Sequence, residues 1–281
     1  MKTSRRLIVL LSLMLAGLIV AAVLTQTLLR NSTLAMLTAQ DLLAFIAPAI
    51  TAMAMYHRRP LETMCLNRAP GWKAIIVVIL LYVISLPAMN WLVALNEAMT
   101  LPQCLSGVEQ WMRASEDQAA ELTKQILDIH SIGQLAISVA VIGVMAGLSE
   151  EVLFRGALLR TMQHSRLGTH AAVWIAAIVF SAFHMQFFGF FPRLILGAWF
   201  GYLLVWARSL WVPIIAHALN NSTVVVFSYL TNIGQIPEGW GDQLGIPADG
   251  APPYLAIASA IASITLAICA SRWLGKREAR T

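Results

Sequence analysis

Three short groups of polar residues stand inside long apolar stretches of this sequence, and together they could activate water. Ser149-Glu150-Glu151-Val152-Leu153-Phe154-Arg155 lies within an apolar run from Ile132 to Met162. His184 follows Phe180-Ser181-Ala182-Phe183, and His217 begins His217-Ala218-Leu219-Asn220-Asn221. Ionisable groups at bilayer depth cost about 2.5–3.5 kcal/mol or more each, so they mark functional positions. A Glu or His can take a proton from water, and an Asn or His can donate to a developing oxyanion. Glu150, His184 and His217 could equally hold a Zn²⁺ that keeps one position open for water. The HExxH spacing of common zinc proteases is missing, so a cofactor-free site is the favoured form and Zn²⁺ the alternative.

Helix periodicity divides these residues further. Glu151 and Arg155 stand at i, i+4 and can pair along one helix, which makes them a structural support. Glu150 is rotated by about 100° from Glu151 and is free to face another partner. His217 and Asn221 share a face, while Asn220 points elsewhere. Glu150 and His184 each lie 14 residues from the turn near His164–His170, roughly 21 Å along a helix, and His217 roughly 13 Å from Arg208. That places the site near the membrane midplane, provided Arg155 is buried as a partner. Each residue also has a plainer reading, as a histidine bridging two helices or an ion pair within one. His57, His130, His164 and His170 lie in loops or at helix ends and need no catalytic role.

The elements that must carry these groups are membrane helices. The chain has 281 residues, 58% apolar and only 12% charged, against about 25% charged in a soluble domain. The expected architecture is all-α, a polytopic bundle of about eight transmembrane helices. The spans are an uncleaved first one (Leu7–Leu24), Thr33–Tyr56, Ala74–Val93, Ile132–Met162, His170–Phe187, Phe191–Trp206, Trp211–Leu230 and Tyr254–Ala270. Asp41 in the second span reads as an interfacial helix cap, with a polar contact inside the bundle as the alternative. The hairpin around Gly189–Pro192 is the crossing most open to a re-entrant form. Gly143/Gly147 and Gly197/Gly201 make two GxxxG spacings, a mark of close helix packing.

Asn96 to His130 is the sizeable polar segment. Its apolar residues recur at helical spacing, which predicts one or two amphipathic helices capping the outer face. The organisation expected is one integral membrane domain, 1–281. It divides into N-terminal spans and outer segment (1–131), a motif-bearing core (132–230), and an outer loop, last span and basic tail (231–281). Basic residues cluster in the segments that eight crossings place inside, and acidic ones outside, so both termini are expected in the cytoplasm. The net charge of +5 follows from this asymmetry and does not point to nucleic acid. Cys65, Cys104 and Cys269 form no metal-ligand spacing and are not expected to pair.

Taken in order on successive membrane helices, Glu150-Glu151-x-x-x-Arg155, Phe180-x-x-x-His184 and His217-x-x-x-Asn221 resemble the three motifs of the CPBP (Abi) intramembrane proteases. That family includes type II CAAX prenyl endopeptidases and bacteriocin-processing or immunity proteins. The resemblance covers about Ile132 to Leu230. It implies that Glu150 and His184 activate the attacking water, that His217 and Asn221 stabilise the oxyanion, and that Glu151, Arg155 and Phe180 support the site. It further implies an endopeptidase of the multi-pass cell membrane, here a bacterial inner membrane, acting on a peptide or protein, lipidated or not. The Asn221 partner favours the metal-free, glutamate-type mechanism over the metal-dependent one. Two other functions remain open. One is a non-catalytic scaffold or bacteriocin immunity protein of the same fold. The other is a proton-relay transporter, for which no internal repeat is found.

Overall fold

The computed structural model describes residues 3–29, 32–163, 165, 167–248 and 251–275. Lys2, Arg30, Arg166, Lys276, Arg277 and Arg280, which contribute to the basic-residue pattern that orients the chain, lie outside the described residues, as does His164. The described residues form helices and no strand. In chain order the main helices are α1 (Thr3–Thr27), α2 (Thr33–Tyr56), α3 (Trp72–Glu97), α4 (Ser106–Ile126), α5 (Ile132–Gln163), α6 (Gly168–Phe183), α7 (Phe190–Ala207), α8 (Trp211–Asn232) and α9 (Tyr254–Gly275). The protein is a polytopic helical bundle.

Local chemistry starts these helices where they start. Ser32 caps α2 by accepting from the Ala35 amide. Ser131 and Gln134 form a reciprocal capping box at the head of α5. Pro192 and Pro213 sit in the first turns of α7 and α8, where a missing N–H costs nothing. Pro87 lies inside α3, and the Gly245 turn seats directly against its backbone.

Six of the helices are long and apolar enough to cross a membrane: α1, α2, α3, α5, α7 and α9. The expectation of eight spans differs at two places. Helix α6 is apolar but has 16 residues, roughly 24 Å against a hydrocarbon core of about 30 Å. Helix α8 has 22 residues, but His217, Asn220, Asn221, Ser222 and Thr223 interrupt its apolar character. Both pack within the bundle, α6 against α7 and α8 against α5. This packing buries His217 and partly buries Asn220, Asn221, Ser222 and Thr223.

Contacts sort the helix ends into two faces. At one face Arg6 of α1 lies over Tyr56 and beside His57, and Arg160 donates to the Thr63 carbonyl. Ser209 and Trp211 donate to the carbonyls of Arg68 and Leu66, and Lys73 stacks on Trp273. This end is basic. At the other, Asn96 accepts from the Phe191 amide, and Asn232 donates to the carbonyls of Leu127 and Ile129. Asn90 there donates to the carbonyls of Gly241 and Leu244.

The polar segment holds a single amphipathic helix, α4, with no buried residue. It leans on the loop between α6 and α7. Trp111 packs on Phe187, the Arg113 guanidinium lies 4.2 Å from the Phe188 ring, and Glu116 accepts from the Phe188 amide. All three cysteines are free, Cys65 buried and Cys104 and Cys269 exposed.

Candidate active site

Helix α5 delivers the carboxylates. Its regular coil loosens into π-helical turns at Val139–Met145 and Val152–Leu159, and Glu150 and Glu151 sit on the α-helical turns between them. Such π-helical insertions are frequent at functional sites because they shift the facing of side chains. The two glycines of α5 let α8 come close: a Cβ at Gly147 would meet the Ala218 backbone, and one at Gly143 the Ser222 side chain. The GxxxG in α5 is thus the seam that brings His217 to the carboxylates.

Glu151 and Arg155 are both fully buried. Arg155 Nη1 donates to Glu151 Oε1 at 2.6 Å. Its Nη2 donates to the Gly197 carbonyl at 2.9 Å, and its guanidinium lies 4.4 Å from the Phe180 ring and 5.4 Å from that of Phe200. Gly197 of α7 allows this approach, since a Cβ there would press on Phe180 and Ala177. The same Glu151 Oε1 accepts from His217 Nδ1 at 2.8 Å, and Phe200 stacks on the His217 ring with centroids 5.0 Å apart. The pair expected within one helix is therefore a buried Arg155–Glu151–His217 chain across two.

His184 differs in placement from the sequence expectation. The fifth span was expected to run to Phe187 with His184 deep inside it, but α6 ends at Phe183. His184 ends the helix because its Nδ1 faces the Phe180 carbonyl at 2.9 Å, satisfying a carbonyl that a helix end leaves orphaned. Met185 follows in the left-handed region, with φ of 53°.

The three groups converge on one atom. Glu150 Oε2 lies 3.9 Å from His184 Nε2 and 3.7 Å from His217 Nε2. It is buried and has no hydrogen-bond partner among the described residues. Nδ1 of each histidine faces an acceptor, a carbonyl in His184 and a carboxylate in His217, so Nδ1 carries the hydrogen. Nε2 of each ring is then left turned toward Glu150. A water between Glu150 Oε2 and His184 Nε2 could donate one hydrogen to each.

Asn221 stands one helical turn from His217, and among the described residues its hydrogen bonds go to Ile142 and Asn220 rather than to Glu150. Its Nδ2 donates to the Ile142 carbonyl at 3.3 Å in the first π-helical turn of α5. Its Oδ1 accepts from Asn220 Nδ2 at 3.2 Å. The expectation that Asn220 points elsewhere is corrected. The side chains of adjacent residues meet, and Asn220 holds the Asn221 amide in place.

Asp41 is also corrected. It is 6% exposed and accepts from Ser149 Oγ at 2.7 Å, so it is an interior contact and not an interfacial cap. Phe200 joins the site without having been singled out by type or spacing, Gly197 was singled out only for helix packing, and Ser149 was given no role of its own. A buried acid in an apolar span was the one available signal for Asp41.

A metal would draw on Glu150, His184 and His217. A tetrahedral zinc with bonds of about 2.1 Å needs its ligand atoms about 3.4 Å apart, closer than the 3.7 and 3.9 Å separations measured from Glu150 Oε2. Among the described residues no three His, Cys, Asp or Glu side chains form a metal-binding group. As they stand, these atoms are spaced wider than such a zinc requires.

Comparison with known proteins points the same way as the geometry. Over 194 residues, 68% of this chain and 73% of the relative, the sequence is 24% identical to a Bacillus subtilis protein named "Putative membrane peptidase YdiL". No solved structure matches the chain. The stretch holding Glu150, His184, His217 and Asn221 matches the family described as Rce1-like, type II CAAX prenyl endopeptidase, over residues 132–223. That stretch, which holds every residue of the converging cluster, is the part of the chain similar to the Rce1-like family.

Proposed function

We propose that this chain is an intramembrane endopeptidase that hydrolyses a peptide bond with water activated by Glu150 and His184. The family match supports a CAAX-protease-like membrane peptidase in general. The finer reading rests on one observation, the buried and unpartnered Glu150 Oε2 faced by two imidazole Nε2 atoms.

In this mechanism Glu150 takes a proton from a water that also hydrogen-bonds His184 Nε2, and the hydroxide attacks the peptide carbonyl. The oxyanion needs a donor. His217 Nε2 supplies one only when the ring is the imidazolium, because its other hydrogen is committed to Glu151. The Glu151 carboxylate beneath Nδ1 supports that form, as the aspartate does in hydrolytic triads. Asn221 has one amide hydrogen left after its bond to Ile142, and this reaches the oxyanion if the substrate extends a helical turn beyond His217. The proton held by Glu150 then passes to the leaving amine. Every step is carried by this chain's own groups.

The substrate is a peptide or protein, lipidated or not, that reaches the site from the bilayer or from the face under α4. We place both termini in the cytoplasm of a bacterial inner membrane, because Arg6, Arg68, Lys73, Arg160 and Arg208 gather at the end where α1 begins and α9 finishes. The test is peptide cleavage by the purified protein beside Glu150→Gln, His184→Ala and His217→Ala, each with and without a strong chelator. Loss of at least a hundredfold in all three variants with no chelator effect is expected. Full activity in the variants sinks the assignment and returns the non-catalytic scaffold, and loss on chelation replaces the glutamate-type mechanism with a metal-dependent one.

A further inference from the structure

Asp41 is a buried acid that the proposed mechanism does not use, and its surroundings suggest a role. It opens a π-helical turn in α2, Asp41–Ile46, that packs directly on the Ala146–Glu151 stretch of α5. The turn is held from three sides. Gly17 of α1 lies against the Leu43 carbonyl so closely that no Cβ would fit between them. Phe45 packs on Phe154 and Phe183, with centroids 6.5 and 5.5 Å apart. Asp41 itself accepts from Ser149 Oγ at 2.7 Å.

Ser149 has one hydroxyl hydrogen and two acceptors in reach, Asp41 Oδ1 at 2.7 Å and the Ala146 carbonyl at 3.0 Å. Donating it to Ala146 would only fold the hydroxyl back on its own helix. Donating it to Asp41, the shorter contact, ties the backbone just before Glu150 to a different helix. Ser149 is wholly buried, so no solvent can substitute for that tie. Asp41 and Ser149 therefore set the rotation of α5 about its own axis at the residue where rotation decides what Glu150 faces. A π-helical turn lies on each side of this stretch, so the regular ladder alone does not hold its register.

We infer that Asp41 is a positioning residue for Glu150, acting through Ser149. This extends the site to α1 and α2, outside the stretch that matches the Rce1-like family, and it rests on the proposed endopeptidase reading. Displacing a reacting group by about 1 Å can cost about a hundredfold in rate. Removing the tie is expected to act on turnover and to leave substrate binding alone.

The experiment measures kcat and KM for peptide cleavage by the full-length protein, with thermal unfolding of each variant alongside. Asp41→Asn keeps an oxygen for Ser149 and is expected to stay within about threefold of wild type. Asp41→Leu and Ser149→Ala each remove the tie and should lower kcat about a hundredfold at unchanged KM. Their combination should lose no more than either alone, because both act through one contact. If Asp41→Leu fails to fold, Ser149→Ala carries the same test with a smaller change. Wild-type kcat in Ser149→Ala or Asp41→Leu, while Glu150→Gln is inactive, overturns the positioning role and leaves the endopeptidase reading intact. Equal loss in Asp41→Asn and Asp41→Leu also overturns it, since the oxygen would then not suffice. If wild type itself cleaves no peptide, the endopeptidase reading falls and takes this inference with it.

Discussion

At the scale of single residues, Glu150 and Glu151 are neighbours in sequence with different surroundings. Glu151 is fully buried, and one of its oxygens accepts from both Arg155 and His217. Removing its charge leaves the Arg155 guanidinium buried without a counter-ion. Glu151→Gln should therefore destabilise the protein by about 3–5 kcal/mol. Glu150 Oε2 makes no hydrogen bond among the described residues, so Glu150→Gln should unfold within about 1 kcal/mol of wild type while abolishing cleavage. Denaturant or thermal unfolding in one detergent checks both. Equal destabilisation of the two variants would show that the carboxylates are not divided in this way.

At the scale of elements, the site depends on how close α8 sits to α5. Gly147 faces the Ala218 backbone, where an added Cβ would come within 2.9 Å of the amide nitrogen. A backbone atom cannot swing aside, so Gly147→Ala must push the helices apart and draw His217 from Glu150. The expected cost is about 1–3 kcal/mol, with loss of cleavage. Gly133 on the same helix has open space around it, and Gly133→Ala should be neutral or stabilising by about 0.5–1 kcal/mol. Comparing unfolding of these two variants separates a packing seam from a general intolerance of α5 to substitution. Unchanged activity in Gly147→Ala would mean that the seam does not set the site.

At the scale of the whole molecule, the bundle has a basic end and an end covered by α4. His184 of the candidate site stands nearer the second. His184 finishes α6 on that side, and α4 rests on the loop that follows it through Trp111, Arg113 and Glu116. On the other side the site is backed by Phe154, Phe180 and Phe200, all buried. The orientation has a simple native probe. Cys104 is exposed just ahead of α4, Cys65 is buried, and Cys269 lies within the membrane-crossing length of α9. With both termini in the cytoplasm, a membrane-impermeant maleimide should label Cys104 in intact cells while a C-terminal tag stays protected from added protease. Labelling of Cys104 only after lysis would reverse the topology.

What the sequence by itself determined was the class of the molecule and the candidates Glu150, His184 and His217 that the structure brings together. Scarcity of charge over long apolar runs dictates membrane helices, because backbone polar groups in lipid must be satisfied within the segment. The i, i+4 spacing of Glu151 and Arg155 made their pairing legible, and a carboxylate among apolar residues marked Glu150. Other features depended on contacts between segments far apart in the chain, which no local pattern encodes. Asp41 meets Ser149 across 108 positions and His217 meets Glu151 across 66. Side-chain competition for backbone also decided against periodicity, as where the His184 ring takes the Phe180 carbonyl and ends a helix whose hydrophobicity continues. The π-helical turns around the carboxylates belong to the same group, since their facing follows from packing against α2 and α8. The placing of the Glu150 carboxylate oxygen between two imidazoles is a property of the tertiary structure alone.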